Sequence, residues 1–130
     1  MGAIDVAGLL EPVSAESPCG EDLEYAGVME LDRLAQGRPE QEIGGTLVPA
    51  EEPDWREVHR LALELSASTR DLRVLVRLAQ ALLRTDGFPG LRDGVALLRG
   101  VVERYWDGLY PPLDPDDRDP TFRVNTLASL

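Results

Sequence analysis

Two side chains in this sequence have the chemistry of a catalytic pair, the thiol of Cys19 and the imidazole of His59, and each is the only one of its type. A hydrolase could use such a pair, with the imidazole activating the thiol. Two carboxylates, Glu21 and Asp22, follow Cys19 closely, and neighbouring carboxylates raise the pKa of a thiol. We therefore interpret Cys19 as a partly buried structural thiol and His59 as a packing residue beside Trp55. A Cys/His hydrolase stays as the weaker alternative.

An acidic segment near the end of the chain has the composition of a calcium-binding loop, with four aspartates between positions 114 and 119. An EF-hand loop that begins at Asp114 requires glycine at its sixth position and glutamate at its twelfth. Asp119 and Asn125 stand at these positions, so we predict no metal site. We interpret the segment as a solvated acidic loop in which three side chains are candidate contacts with a partner. These are Asp114, Asp116 and Asp117.

Two glutamates, Glu51 and Glu52, stand just before Asp54, which is a predicted helix N-cap. Paired carboxylates can serve acid–base chemistry, but the helix dipole alone favours acids at this position. We therefore interpret Glu51 and Glu52 as candidate partner contacts. The sequence also has no lysine and no glycine-rich phosphate loop after a strand, so it predicts no catalytic residue, no cofactor and no enzyme.

The elements that must position these groups are helical, because apolar residues recur with helical spacing in the second half of the chain. Asp54, Asp71 and Asp119 are predicted N-caps. The helix after Asp71 is polar over only a narrow arc, so it is the predicted centre of the domain. The predicted helices cover residues 25–36, 55 onward, 72–85, 89–106 and 120 onward. The sequence therefore predicts a compact all-α domain of about four to five main helices.

The apolar stripes of these helices define a predicted structural core. Its members are Trp55, Leu65, Leu75, Leu78, Leu82, Leu98, Val102 and Trp106. Two glycines interrupt the helix over residues 89–106, and each lowers helix stability by roughly 1 kcal/mol relative to alanine. Gly94 falls near the apolar arc and predicts a close helix contact. Gly100 falls on the polar side, where the sequence offers no reason for it.

The net charge of the chain, −11, is concentrated in one segment. Residues 1–54 carry 13 acids and two arginines, whereas residues 55–113 carry seven acids and nine arginines. We therefore divide a single domain, residues 1–130, into an acidic loop-rich arm with one short helix over residues 1–53 and a helical core over residues 54–130. We expect the arm to wrap the core and to pair with an arginine stripe on the central helix. The stripe consists of Arg73, Arg77 and Arg84.

The last part of the arm, residues 38–53, contains a brief extended piece at residues 46–48. Three apolar side chains in it require burial, so we predict an ordered loop and not a linker. These are Ile43, Leu47 and Val48.

Composition excludes several classes of partner. A chain this acidic does not bind nucleic acid as its main partner, because the phosphate backbone repels it. It has no run of about 20 apolar residues, so we predict no membrane insertion. A lone cysteine suits a reducing compartment such as the cytoplasm.

Several stretches, taken together, resemble a known family. They are Ser17–Leu23, Val48–Val58, Asp71–Val74, Ala81–Thr85, Glu103–Asp107 and Arg123–Leu127. In this order and spacing, and with the acidic loop between the last two, the sequence resembles the N-terminal domain of the ImpA/TssA family of type VI secretion systems. The resemblance covers about residues 4–130. It departs from the family pattern at residues 26–27, where Ala-Gly replaces the usual Asp-Pro.

The resemblance implies a cytoplasmic, non-enzymatic assembly component with partners among baseplate, sheath–tube and membrane-complex subunits. It also implies that rings form only through a C-terminal region that is absent here. This agrees with a last helix that has no C-cap, so we expect the chain to be a fragment. We therefore predict a protein-interaction module of a secretion assembly protein. The alternative is a generic helical adaptor or regulatory domain outside secretion.

Overall fold

The chain folds around one long helix that is broken near its middle, and the computed structural model describes residues 3–130. The helices are α1 (Val6–Leu9), α2 (Met29–Gln36), α3 (Trp55–Ser66), α4 (Leu72–Tyr105) and α5 (Thr121–Ala128), with an irregular helical turn over Glu24–Val28. Two short strands, β1 (Gln41–Ile43) and β2 (Thr46–Val48), form an antiparallel hairpin between α2 and α3. Helices dominate as predicted, and the hairpin corrects the all-α assignment.

The break in α4 folds its two halves against each other. Gly87 has φ 70° and ψ −154°, a conformation that lies outside the helical region and that glycine adopts readily. A Cβ placed on Gly94 would lie 2.8 Å from the Cα of Ala79, and one on Gly90 would lie 2.4 Å from the carbonyl oxygen of Leu82. The two halves therefore run antiparallel in close contact. This confirms the predicted helix end near Gly87 and the predicted contact at Gly94.

Helix α3 packs along α4, and the centre of the core lies between them. Among the predicted core residues, five are buried: Leu65, Leu75, Leu78, Leu82 and Leu98. The prediction is wrong for Trp55, Val102 and Trp106, which pack against the edge of the core and are partly exposed. Each tryptophan stands at a helix end, where a guanidinium covers its ring. Arg84 lies 5.2 Å from the Trp55 ring centroid, and Arg123 lies 4.6 Å from that of Trp106.

The hairpin forms because its sequence carries the turn residues that hairpins require. Gly44 and Gly45 have φ 57° and 80°, and positive φ at both central positions characterises the tight turn between antiparallel strands. The flanking Ile43 and Leu47 are 61% and 64% exposed. The expectation that these side chains are buried is therefore wrong, because the hairpin projects away from the helical core. Only Val48 at its base is half-buried.

The acidic arm pairs with two of the three arginines in the predicted stripe. Arg73 Nη2 lies 2.8 Å from Asp22 Oδ1, and Arg77 Nε lies 3.0 Å from Asp32 Oδ1. These ion pairs confirm the predicted pairing at both positions. The prediction is wrong for Arg84, whose guanidinium stacks on the tryptophan at the start of α3. An aromatic ring, and not a carboxylate of the arm, is the neighbour at that end of the stripe.

Helix α2 begins later than predicted, at Met29 and not at Tyr25. Gly27 interrupts the helical backbone with φ 149°. A side chain there would also collide with Leu65, since a Cβ would lie 2.4 Å from its Cδ2 atom. The C-terminal end agrees with the sequence, because Gly37 follows the helix with φ 66°.

Helix α5 is shorter than predicted. The N-cap is Pro120 and not the predicted Asp119, because the helix begins one residue later, at Thr121. The carboxylate of Asp119 still accepts a hydrogen bond from the N–H of Thr121 at 2.9 Å. The helix then ends at Ala128. The N–H groups of Ser129 and Leu130 donate to carbonyls three residues back, both at 3.2 Å. The prediction of a helix that continues through Leu130 is therefore wrong.

Candidate functional site

The β1–β2 hairpin presents one large apolar side chain on each of its faces. In the ladder, Glu42 pairs with Leu47, and Ile43 pairs with Thr46. Directly opposed residues share a face of a sheet, so Leu47 stands beside Glu42 on one face and Ile43 beside Thr46 on the other. Exposed apolar side chains on a projecting element are a common feature of protein-binding surfaces.

The base of the hairpin is closed by a backbone bridge between the segments that join it to α2 and α3. The N–H of Arg38 donates to the carbonyl of Glu51 at 2.9 Å, and the N–H of Glu51 returns a bond of 2.9 Å. Their side chains also form an ion pair at 3.9 Å. Gly37 packs so closely on this bridge that a Cβ would lie 2.4 Å from the Glu51 carbonyl oxygen. The hairpin is therefore held in one position before any partner arrives, which lowers the entropy lost on binding.

Acidic residues surround the two apolar side chains. We call residues 38–52 the hairpin surface. It carries four exposed glutamates against one arginine, Arg38. The glutamates are Glu40, Glu42, Glu51 and Glu52. The candidate contacts Glu51 and Glu52 thus lie at the base of the hairpin, with their carboxylates exposed and Glu51 also fixing the backbone. The hairpin itself was missed from the sequence, although the Gly44-Gly45 turn between Ile43 and Leu47 was its signal.

The acidic loop uses its carboxylates mainly to order its own backbone. Asp114 Oδ1 accepts from the N–H groups of Asp116 at 2.8 Å and Asp117 at 3.3 Å, and Asp117 Oδ1 accepts from the N–H of Asp119 at 3.0 Å. Hydrogen bonds from Thr121 hold the pKa of Asp119 below its usual value. Across residues 3–130, no group of histidine, cysteine, aspartate and glutamate side chains is arranged to hold a metal ion. The loop is therefore a rigid, exposed, negatively charged element.

A groove of about 650 Å³ lies between the acidic loop, the arm and α5. We call it the proline groove. Its lining includes Asp22, Glu24, Arg73, Pro111, Pro112, Leu113, Asp114, Pro115, Asp119 and Phe122. Of the candidate contacts, only Asp114 lines it, while Asp116 and Asp117 stand outside. This groove could not be predicted from the sequence, because it assembles side chains from segments about 40 to 100 positions apart. An unexplained apolar residue, Phe122, was the only signal.

The two residues with catalytic chemistry occupy unsuitable environments. Burial raises the pKa of the Cys19 thiol, and the positive charges of Arg70 and Arg123 offset this only in part. His59 Nδ1 lies 3.3 Å from the hydroxyl oxygen of Thr85. Within the described part of the chain, Cys19 and His59 share no hydrogen bond, so the geometry offers no activated nucleophile.

We expect iodoacetamide to alkylate Cys19 about tenfold more slowly in the folded chain than in the chain unfolded in urea, because only the thiolate reacts and burial suppresses both its formation and its access. Mass spectrometry of timed samples measures both rates at one mildly alkaline pH. A folded chain that reacts as fast as the unfolded one would contradict the assignment of Cys19 as a structural thiol.

None of the helices within residues 3–130 combines the length and the apolar character that crossing a bilayer requires.

Comparison with known proteins agrees with the motifs in the sequence. The family model for the ImpA N-terminal region of the type VI secretion system matches residues 10–130. The type VI secretion system component TssA1 of Pseudomonas aeruginosa is 51% identical over 129 residues, which cover 98% of this chain and 38% of that protein.

A solved structure supports the same relationship. It is the N-terminal domain, including the conserved ImpA_N region, of the TssA component of the type VI secretion system from Burkholderia cenocepacia. The match has a TM-score of 0.79 and 32% identity, and it covers 99% of this chain and 47% of that one. This chain spans less than half the length of either relative. From the family match and these two relatives together, the chain belongs to the ImpA N-terminal family of the type VI secretion system.

Proposed function

We propose that this chain is a non-enzymatic docking module of a type VI secretion assembly protein and that the hairpin surface binds another component of the machine. The observation that carries this proposal is the exposure of Ile43 and Leu47, at 61% and 64%, on a hairpin whose base is closed by a backbone bridge. Full burial of such a side chain contributes about 1.5 to 3 kcal/mol to association. Two of them on a rigid element have the character of binding hot spots.

The partners we propose are baseplate, sheath–tube and membrane-complex subunits, met in the cytoplasm. Family membership supports a role in the type VI secretion system. The exposed residues of the hairpin surface support the chemistry of the proposed contact. Because Ile43 and Leu47 lie on opposite faces, the partner must contact both faces of the hairpin, and the four glutamates favour basic residues around those contacts. We place ring formation in the part of the longer relatives that lies outside the matched region.

The absence of catalysis is part of the proposal. The buried Cys19 thiol and the separately bonded His59 support it, as does the use of the loop aspartates in backbone turns. A docking role needs none of these groups to react.

The double variant Ile43→Ser, Leu47→Ser is expected to weaken binding to the cognate subunit by about 30-fold or more, since hot-spot truncation costs about 2 kcal/mol or more. Thermal unfolding should change little, because both side chains are exposed in the free chain. The measurement is co-purification with each subunit of the same secretion system, followed by titration calorimetry on the pair that associates.

The matched control is Phe88→Ser, Val95→Ser, which also removes two exposed apolar side chains, 80% and 43% exposed, but from the second half of α4. It should bind as the unaltered chain does. Equal binding by the hairpin variant would place the docking site elsewhere. Failure of every secretion subunit to associate with the unaltered chain would overturn the proposed docking role.

A further inference from the structure

A second surface carries its own binding chemistry. We infer that the proline groove binds a segment of another protein that presents arginine or lysine beside apolar residues. The groove and the hairpin surface share no residue. The inference therefore rests on different observations from the proposed function and is tested separately.

The groove is negatively charged and only partly neutralised. Its one cationic lining residue, Arg73, already binds Asp71 at 2.7 Å and Asp22 at 2.8 Å. The remaining lining carboxylates have no comparably close cation within the described residues. They are Glu24, Asp114 and Asp119. A basic segment would restore charge balance in a groove that these carboxylates line.

An exposed aromatic ring accompanies these carboxylates. Phe122 is 78% exposed and lines the groove. A ring face next to carboxylates is suited to a guanidinium or ammonium group, through cation–π attraction and ion pairing together. The chain uses the same stacking in its own fold, with Arg84 on Trp55 and Arg123 on Trp106.

The walls of the groove are formed in advance. Pro111, Pro112 and Pro115 have fixed φ angles. Arg123 Nε donates to the carbonyl of Pro111 at 2.8 Å, which ties this wall to α5. Asp114 closes the next turn through its two backbone hydrogen bonds. Little ordering is needed on binding, so the cost of association is reduced.

The shape of the proline groove suits a peptide segment and not a single side chain. A second hollow of about 350 Å³ shares Arg73, Phe122, Asn125 and Thr126 with the groove and continues it toward Arg77. A second copy of this chain is a poor occupant, because each copy carries a net charge of −11. The occupant is therefore a basic stretch of a different protein.

The test uses a synthetic peptide of alternating arginine and leucine, titrated into the isotopically labelled chain and followed by amide NMR. Shifts should concentrate at Phe122, Asn125 and Thr126. The variant Glu24→Gln, Asp114→Asn should bind about tenfold more weakly, since each lost charge pair contributes a fraction of a kcal/mol to more than 1 kcal/mol. Asparagine at 114 keeps the oxygen that accepts the turn hydrogen bonds.

The control variant is Asp116→Asn, Asp117→Asn, which removes the same charge just outside the groove. Its affinity should stay within about twofold of the unaltered chain, because it leaves the carboxylates that line the groove intact. Equal losses in both variants would reduce the effect to general electrostatics and overturn the proposal. NMR shifts that concentrate outside the groove would also overturn the proposal. Equal binding of a peptide of alternating glutamate and leucine would do the same.

The remaining occupant is a further segment of the same polypeptide in a protein as long as the relatives. If the peptide binds the 130-residue chain but not the longer protein, the groove belongs to that segment and the proposal is wrong. The Ile43→Ser, Leu47→Ser variant should bind the peptide normally, which keeps this outcome distinct from failure of the proposed function.

Discussion

Replacing Arg123 with alanine is expected to lower the free energy of unfolding by about 3 to 5 kcal/mol. The side chain is 1% exposed. Its Nε donates to the carbonyl of Pro111 at 2.8 Å, its Nη2 to that of Leu109 at 2.7 Å, and its Nη1 to that of Trp106. Alanine would leave these carbonyls without donors, and each orphaned buried group costs about 1 to 3 kcal/mol.

Urea denaturation followed by circular dichroism measures this loss. Arg118→Ala is the control, since the side chain of Arg118 is exposed and its contact with Asp107 is long, at 3.4 Å. It should change stability by less than about 0.5 kcal/mol. Arg123→Lys should still lose most of the effect, because an ammonium group cannot reach three carbonyls from one stem. If lysine restores full stability, charge and not the guanidinium geometry is what matters.

Replacing Gly20 with alanine is expected to cost about 3 to 4 kcal/mol, for two reasons that act together. Gly20 has φ 70°, where a side chain is strained, and a Cβ would lie 2.0 Å from the backbone oxygen of Ser68. The backbone would have to move. That movement would break the bond from the Arg70 N–H to the Cys19 carbonyl at 2.8 Å and the bond from the Tyr110 hydroxyl to Gly20 at 3.1 Å.

The variant Gly44→Ala separates the cost of a positive φ angle from the cost of the steric overlap. Gly44 has φ 57°, but a Cβ there meets nothing within 4 Å. The substitution should therefore show only the conformational penalty, about 1 to 2 kcal/mol, and only in the local stability of the hairpin. Urea denaturation gives the global values, and amide hydrogen exchange gives the local one. A Gly20→Ala chain as stable as Gly44→Ala would show that the arm rearranges freely around this contact.

Gly20 and Arg123, the two residues whose replacement is expected to cost the most stability, stabilise the same region. Gly20 joins the arm to the start of α4, and Arg123 joins α5 to the loop that leads into the proline groove. We therefore expect loss of either residue to disturb the groove before the hairpin surface, whose base is fixed by the independent bridge between Arg38 and Glu51.

Local patterns in the sequence were sufficient wherever neighbours along the chain decide the structure. Asp54 and Asp71 accept hydrogen bonds from the N–H groups of the turns they begin. Gly87 ends the first half of α4, as a glycine with positive φ does. The opposite charges of the arm and the central helix predicted the ion pairs at Arg73 and Arg77.

The hairpin could be predicted from the sequence only in part. Its two glycines predict a turn, but whether Ile43 and Leu47 are buried depends on what packs against the strands, and no periodicity in a six-residue ladder reveals that. The same limit applies to Arg84, since its charge predicts a carboxylate partner and its position supplies an aromatic ring.

The sequence by itself determined the family, the order of the main helices, the caps at Asp54 and Asp71, and the distribution of charge, because these depend on residue type and short spacing. Only the tertiary structure explained Gly100, where a Cβ would lie 2.5 Å from Leu10 Cδ2. Only it revealed that Arg123 clamps three carbonyls and that distant segments enclose the proline groove. These features depend on pairs of residues far apart in the chain, and their proximity is set by how the helices pack.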